Sequence, residues 1–223
     1  MTFYFGDMLP YLSILIEALG QSLYVTIFAM FVGSAFGVLL YLGKTGGPGI
    51  VRLICNAYIE VFRNTPLLVQ LFLIYFGSSS FGLNLDPLGA ALVGLTLNNA
   101  AYTAEIYRAG FESVAKELRD AGGALGLRPH QVFMHVVFVP ATRNVFPALT
   151  NQFILLFLAS SIASIIGLHE LMNTVLNINA ETYRTFEVLT VGGLLYLMTS
   201  ALLAIASRYA ESRLFRWSVK TNG

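Results

Sequence analysis

Residues 105–143 read EIYRAGFESVAKELRDAGGALGLRPHQVFMHVVFVPATR and form the only long charged segment in an otherwise apolar chain. Within this segment, the composition of Val114 to Leu125 predicts a short helix. Gly126 follows as the flexible stop that helix C-termini favour, and Pro129 suits the first turn of a second helix. The segment therefore predicts two short helices joined by a tight turn.

Four small residues, Ala121, Gly122, Gly123 and Ala124, follow one another inside the first of these helices. A glycine in a helix interior costs about 1 kcal/mol relative to alanine. Small side chains allow another backbone to come close, so we expect this helix to dock into the groove of a partner. The alternative is a solvated loop, which the apolar surroundings disfavour.

The composition indicates a membrane protein. Of the 223 residues, 56% are hydrophobic and 11% are charged, and the mean hydropathy is +0.70; an ordinary soluble domain carries about 25% charged residues. The net charge of +1 indicates neither a nucleic acid nor another polyanion as partner. The single cysteine, Cys55, excludes an internal disulfide, and we expect it to be an inert packing residue.

Gaps between charged residues predict five membrane spans, since a helix needs about 20 apolar residues to cross the hydrocarbon layer. We therefore expect an all-α integral membrane protein with one domain over residues 1–223 and a polar external loop or short helix at 170–187. The predicted spans are 22–42, 53–77, 88–106, 144–168 and 188–207, and a polar loop lies at about 112–140 between the third and fourth.

Two glycine motifs lie in and directly after the first predicted span. Gly33 and Gly37 form a Gly-x-x-x-Gly pair, which predicts close packing of a neighbouring helix. The letters Gly43-Lys44-Thr45 suggest a phosphate-binding loop, but such a loop requires a further glycine where Val38 stands. We therefore expect no nucleotide site in this chain.

Polar residues inside the predicted spans are candidates for a translocation path, because ionisable and amide groups in a membrane need partners or water. Glu60 and Arg63 share a helix face, so they either neutralise each other or face the path. Pro66 should kink the same span. For the amides, a hydrogen bond between helices is the alternative. The candidate path residues are Glu60, Arg63, Gln70, Asn98, Asn99, Asn151, Gln152, Ser160 and Ser161.

The stretches DAGGALGLRPHQ and VFVPATR resemble the cytoplasmic loop of the permease subunits of bacterial ABC importers. That family pattern is Glu-Ala-Ala, three residues, Gly, and later a hydrophobic pair ending in Leu-Pro. Here Asp120, Ala121 and Gly122 stand for the first element, Gly126 for the glycine, and Val139-Pro140 for the last. The resemblance implies a type I importer permease whose coupling helix sits in a cleft of the ATPase subunit. The implied coupling residues are Asp120, Ala121, Gly122, Gly123, Ala124, Leu125, Gly126 and Leu127.

Two further stretches, YIEVFRNTPLLVQ at 58–70 and LTLNNAAYTAEIYRAG at 95–110, narrow the resemblance to the polar amino acid branch. The chain is similar to histidine, glutamine and arginine uptake permeases over nearly its whole length. It departs from many of them after Gln152: where they have Lys-Asp-Thr-Ser-Leu, residues 158–162 read LASSI. The loss of both charges leaves the substrate subclass open.

The resemblance also implies the partners. They are an ATPase subunit that carries ATP and Mg, a second permease that is identical or homologous, a periplasmic or surface-anchored substrate-binding protein, and an amino acid as substrate. This chain would then have no cofactor of its own. The alternative is a self-sufficient secondary transporter or channel, which usually contains an internal repeat. Five spans do not divide into matched halves.

Positive charge predicts the orientation, since Lys and Arg accumulate on the cytoplasmic side. With the N-terminus outside and the C-terminus in the cytoplasm of a bacterial inner membrane, eleven of the 13 such residues lie inside. They are Lys44, Arg52, Arg108, Lys116, Arg119, Arg128, Arg143, Arg208, Arg213, Arg216 and Lys220.

Catalysis by this chain is not expected. His130, His135 and His169 lie in or beside loops, and their spacing suits no metal site. The chain also contains no Ser-x-x-Lys or Gly-x-Ser-x-Gly nucleophile motif.

Overall fold

The structure, a computed structural model, describes residues 4–215, and every regular element in this range is helical, which confirms the all-α prediction. In chain order the elements are a 3₁₀ helix (Phe5–Tyr11), α1 (Leu12–Gly46), α2 (Gly49–Asn64), α3 (Leu67–Ser80), α4 (Pro87–Glu112), α5 (Lys116–Ala124), the single turn α6 (Pro129–Gln131), a π-helix (Val132–Val137), α7 (Phe138–Ala159), a second 3₁₀ helix (Ser160–Ile166), α8 (Leu171–Thr182) and α9 (Thr185–Leu214). Two residues counted in the charge argument, Arg216 and Lys220, lie outside the described range.

Three helical stretches are long and apolar enough to cross a membrane: Phe5–Gly46, Pro129–Ile166 and Thr185–Leu214. The bent pair α2 and α3 makes a fourth if the two helices are counted as one span. Helix α4 has 26 residues but does not join this group, because Asn98 and Asn99 interrupt its apolar run. The count of five spans therefore stays a prediction.

The segment 53–77, expected to be one kinked span, is instead two helices whose axes differ by 107°. Helix α2 ends at Asn64, Thr65 is extended, and Pro66 is the N-cap of α3. Proline has no backbone N–H and forces the preceding residue away from helical geometry. The expectation of a kink was therefore wrong in degree, since the helix breaks completely at this point.

Helices α1 and α4 pack closely along the predicted Gly-x-x-x-Gly pair. A Cβ atom at Gly33 would lie 2.9 Å from the carbonyl oxygen of Thr96, and one at Gly37 would lie 3.0 Å from that of Ala100. The hydroxyl of Thr103 in α4 donates a hydrogen bond to the carbonyl oxygen of Gly33 at 3.4 Å. The helix-packing role predicted for the glycine pair is confirmed.

The core consists of several apolar clusters between helices. The largest joins α1, α3, α4, α7 and the second 3₁₀ helix through residues such as Val25, Leu71, Leu95, Leu156 and Ile166. A smaller cluster contains Cys55, which is buried between Leu40 and Ile59. Cys55 is a packing residue, as expected.

The segment 170–187, expected to be a loop or a short helix, contains α8. Its N-cap residue, Glu170, is fully buried and accepts hydrogen bonds from the hydroxyls of Ser22 in α1 at 3.2 Å and Tyr196 in α9 at 2.8 Å. The backbone N–H of Asn173 donates to the same carboxylate at 2.7 Å. Glu170 therefore joins three helices.

Candidate functional site

Gln70 holds the break between α2 and α3 together. Its side-chain nitrogen donates hydrogen bonds to the carbonyl oxygen of Phe62 at 2.9 Å and to the hydroxyl of Thr65 at 2.7 Å. Its side-chain oxygen accepts a hydrogen bond from Nδ2 of Asn98 in α4 at 3.0 Å. Carbonyl groups at a helix end lack intrahelical partners, so Gln70 replaces the bonds that Pro66 prevents.

A second pair of amides joins α1, α4 and α7. Nε2 of Gln152 in α7 donates to Oδ1 of Asn99 at 3.1 Å, and Nδ2 of Asn99 donates to the carbonyl oxygen of Ala29 in α1 at 3.2 Å. Asn99 is fully buried. Gln70 and Asn99 therefore form hydrogen bonds between helices, which was the alternative to a role in the translocation path.

A cavity of about 490 Å³ opens at the broken helix, between α4 and α7. We call it the break cavity. It combines polar groups from the break and from α4 with apolar side chains from α7. Its lining residues are Arg63, Asn64, Thr65, Pro66, Leu67, Asn98, Tyr102, Gln152, Leu155, Leu156, Ala159 and Ile162.

A second cavity of about 500 Å³, which we call the charged cavity, adjoins the first. The two cavities share Arg63, Tyr102 and Gln152. The charged cavity is also lined by the carboxylate residue Glu105 and by Arg108. Together the two cavities form one surface along α4 and α7 that carries both polar and apolar groups.

Arg63 lies where the two cavities meet. Its guanidinium carbon is 5.7 Å from the ring centroid of Tyr102, and its Nη1 atom is 3.8 Å from Oε2 of Glu105. Glu60 is exposed and accepts a hydrogen bond from Asn64 at 2.8 Å instead. The interpretation of Glu60 and Arg63 as a mutually neutralising pair was therefore wrong.

Glu105 is the site residue that sequence reasoning missed. Besides Arg63, it contacts Nζ of Lys44 at 2.7 Å and Nη2 of Arg108 at 2.9 Å. Its spacing of three residues from Arg108 on one helix is a signal that could have indicated an ion pair. The contact with Lys44 depends on how α1 packs against α4, and it gives Lys44 the role of an ion-pair partner.

The structure brings four of the predicted path residues to the two cavities: Arg63, Asn98, Asn151 and Gln152. The hydroxyls of Ser160 and Ser161 donate to the carbonyl oxygens of Phe157 and Leu158, both at 2.7 Å, within their own helical segment. The predicted residues that do not line either cavity are Glu60, Gln70, Asn99, Ser160 and Ser161. Among residues 4–215, no group of three or more His, Cys, Asp or Glu could hold a metal ion.

The polar segment 112–140 forms an exposed hairpin. Helix α5 begins at Lys116, two residues later than the predicted Val114, and ends at Ala124. Gly126 has φ +79°, a left-handed conformation that glycine adopts without strain. The N–H of Leu127 donates to the carbonyl oxygen of Gly122 at 3.2 Å, which is the bond expected of a glycine-terminated helix. The helix stop at Gly126 is confirmed, as is Pro129 in the first turn of α6.

The two glycines of α5 differ in their surroundings. A Cβ atom at Gly122 would lie 3.2 Å from Val132 and 3.4 Å from Val136, whereas a Cβ atom at Gly123 would meet nothing within 4 Å. Packing inside the chain therefore also favours glycine at position 122, and the docking of this helix to a partner stays a prediction. The outer side of the hairpin carries Leu125, which is 81% exposed.

Comparison with known proteins gives consistent results. The sequence profile described as "Binding-protein-dependent transport system inner membrane component" matches residues 33–216. The chain is 32% identical to the arginine transport system permease protein ArtQ of Bacillus subtilis (strain 168), over 94% of this chain and 96% of the relative. It is also 32% identical to the glutamine transport system permease protein GlnP of Escherichia coli (strain K12), over 96% of this chain and 99% of the relative.

Solved structures show the same fold. A crystal structure of an amino acid ABC transporter with histidines has a chain that superposes with a TM-score of 0.90 and 34% sequence identity, covering 96% of this chain and 100% of that chain. The MetNI methionine ABC transporter in an inward-facing conformation is 22% identical, with a TM-score of 0.73 over 92% of this chain and 98% of that chain, so that likeness concerns the fold alone. The chain belongs to the family of inner membrane components of binding-protein-dependent transport systems.

Proposed function

We propose that this chain is the transmembrane permease subunit of an ATP-driven amino acid importer, in which a separate subunit hydrolyses ATP. The observation that carries the proposal is the similarity to the amino acid ABC transporter over 96% of this chain, at 34% identity. The relatives named for arginine and glutamine transport support the same substrate class. The chain would work as a dimer with itself or a close relative, together with two ATPase copies and a substrate-binding protein.

The break cavity suits the charged groups that all amino acids share. Helix α3 starts inside it without a side-chain cap at Pro66, and helix N-termini attract anions. Arg63 adds a guanidinium group, which is well suited to a carboxylate. The side-chain N–H groups of Asn98 and Gln152 donate to Gln70 and Asn99, respectively. The side-chain oxygens of Asn98 and Gln152 are therefore left to accept hydrogen bonds from an ammonium group.

The exposed hairpin suits a surface that docks to the ATPase. Leu118 and Leu125 are 51% and 81% exposed, and Gly123 has open space beside it. An amphipathic helix with exposed apolar side chains can fill a groove in a partner. We assign the coupling role to residues 120–127, at the end of α5 and in the turn that follows.

The proposed orientation places the N-terminus outside and the hairpin in the cytoplasm, on the basis of the positive charges. In this arrangement the charged cavity lies toward the cytoplasm and the break cavity lies deeper in the membrane. Closure of the ATPase subunits would move the hairpins and rotate the helices as rigid bodies, which exposes the path on alternate sides. The substrate shifts this equilibrium only through different affinities for the two states.

Co-purification with the ATPase tests the proposal. The tagged chain would be expressed with the candidate partner subunits encoded by the neighbouring genes, extracted in mild detergent and captured. We expect an ATPase subunit to accompany the normal chain, and its ATPase activity to depend on the complex. Leu125→Glu should abolish the association because it places a charge on the proposed apolar contact. Gly126→Asp should do the same by disturbing the left-handed turn.

The matched control is Leu83→Glu. Leu83 is 63% exposed but lies between α3 and α4, at the opposite end of α4 from the hairpin. The Leu83→Glu variant should therefore bind the ATPase subunit as the normal chain does. If no ATPase accompanies a folded normal chain, or if Leu125→Glu binds it as well as Leu83→Glu does, the coupling assignment fails. Ion-driven transport by the chain alone, as a secondary transporter or channel, would then be tested in proteoliposomes.

A further inference from the structure

The charges around the break cavity bear on which amino acid side chain it can accept. Of its described lining residues, Arg63 is the only one with a charge, and none is Asp or Glu. A bound amino acid brings one carboxylate, which Arg63 can neutralise, and one ammonium group, which amide oxygens can accept. A second positive charge on the side chain would have no carboxylate to pair with in this cavity.

Two described carboxylates contact residues that line this cavity. Glu60 is exposed, does not itself line the cavity and accepts a hydrogen bond from Asn64 at 2.8 Å. Glu105 is already compensated. It lies in the charged cavity and contacts Lys44 at 2.7 Å, Arg108 at 2.9 Å and Arg63 at 3.8 Å. A cationic side chain reaching toward Glu105 would enter the field of three positive groups. Like charges repel, so this cluster disfavours a further cation.

The remaining wall of the break cavity is apolar; part of it packs against the core, and Leu155 is 51% exposed. Leu155 and Ala159 are four residues apart and therefore lie on one face of α7, and Ile162 follows in the second 3₁₀ helix. Leu156 is only 2% exposed, and Ile162 and Leu67 pack against the core cluster that contains it. Such a wall stabilises an uncharged side chain by burying its apolar surface and cannot solvate a charge.

We infer that the break cavity selects zwitterionic amino acids with an uncharged, predominantly apolar side chain, and that it discriminates against cationic amino acids. This inference rests on the proposed function, because it takes the break cavity as the substrate site. It separates this chain from the relative named for arginine transport, even though the two are 32% identical over most of their lengths.

Direct binding to the purified chain tests the inference without requiring an ATPase or a substrate-binding protein. Leucine, glutamine and arginine would each be titrated into the detergent-purified chain by calorimetry. We expect leucine to bind, and arginine to bind at least tenfold more weakly than leucine. The variant Ala159→Asp adds a carboxylate to the apolar wall, and it should change the ratio of arginine to leucine affinity at least tenfold in favour of arginine.

The matched control is Ala159→Asn, which has the same shape without the charge and should leave arginine the weaker ligand. The inference is overturned if arginine binds the normal chain as tightly as leucine does, or if none of the three amino acids binds to the folded chain. It is equally overturned if Ala159→Asp and Ala159→Asn give the same ratio. If arginine binds tightly and the ATPase subunit co-purifies, the proposed importer function is supported and only the inferred selectivity against cationic amino acids is wrong.

Discussion

Nδ2 of Asn98 in α4 donates a hydrogen bond to Oε1 of Gln70 in α3 at 3.0 Å, and this contact joins the broken helix to α4. Gln70 is 6% exposed and Asn98 is 8% exposed. Buried amides cost free energy unless they are hydrogen-bonded. The position of the break relative to α4 therefore depends on this pair, and so does the shape of the cavity between them.

Replacing Gln70 with leucine should destabilise the chain. Leucine has a similar size but leaves the carbonyl oxygens of Phe62 and Thr65, and the amide of Asn98, without this partner. Leaving buried polar groups unsatisfied costs about 1–3 kcal/mol in the free energy of unfolding. Thermal unfolding in detergent would measure the loss as a lower Tm. The control is Ser161→Ala, which removes only a bond to Leu158 in the same helical segment. If Gln70→Leu and Ser161→Ala have equal Tm values, Gln70 does not hold the break between α2 and α3 together.

Replacing Gly37 with alanine should loosen the contact between α1 and α4. The added Cβ would collide with the side chain of Thr103 and approach the carbonyl oxygen of Ala100 to 3.0 Å. Overpacking of this kind costs about 1–3 kcal/mol in the free energy of unfolding. Gly20→Ala in the same helix is the matched control, because a Cβ there meets nothing within 4 Å. Alanine should stabilise that position by up to about 1 kcal/mol. Equal Tm values for the two variants would show that the close approach at Gly37 is not required.

Replacing Glu105 with glutamine should be much more damaging than the same change at Glu112. The side chain of Glu105 is 14% exposed and contacts three cations, whereas that of Glu112 is 57% exposed and forms an ion pair with Arg108. Hydrogen bonds to charged groups contribute about 1.5–3 kcal/mol each, and exposed ion pairs contribute about 0–1 kcal/mol. Thermal unfolding at low and high salt would compare the two variants. A smaller effect at Glu105 than at Glu112 would refute its role as the centre of the cluster.

Local features were predictable from the sequence where a short pattern has one physical solution. Gly126 stops α5 because a left-handed residue after a helix favours glycine, and Gly33 with Gly37 admits α4 because small residues spaced by four form a groove. The break at Pro66 was anticipated only as a kink. Proline determines that the helix is interrupted, but the angle of 107° depends on the partners that the freed groups find, here Gln70 and Asn98.

Composition and neighbours within a few residues were enough to predict that this chain is helical and apolar, where its polar hairpin lies, and which family its motifs indicate. The packing of the helices in three dimensions brings Arg63 to Glu105 rather than to Glu60, and it brings Lys44 of α1 to the same carboxylate. It also places Gly122 against Val132 within the chain. These contacts join residues distant in sequence, and their distances follow from how whole helices cross, which no local pattern encodes.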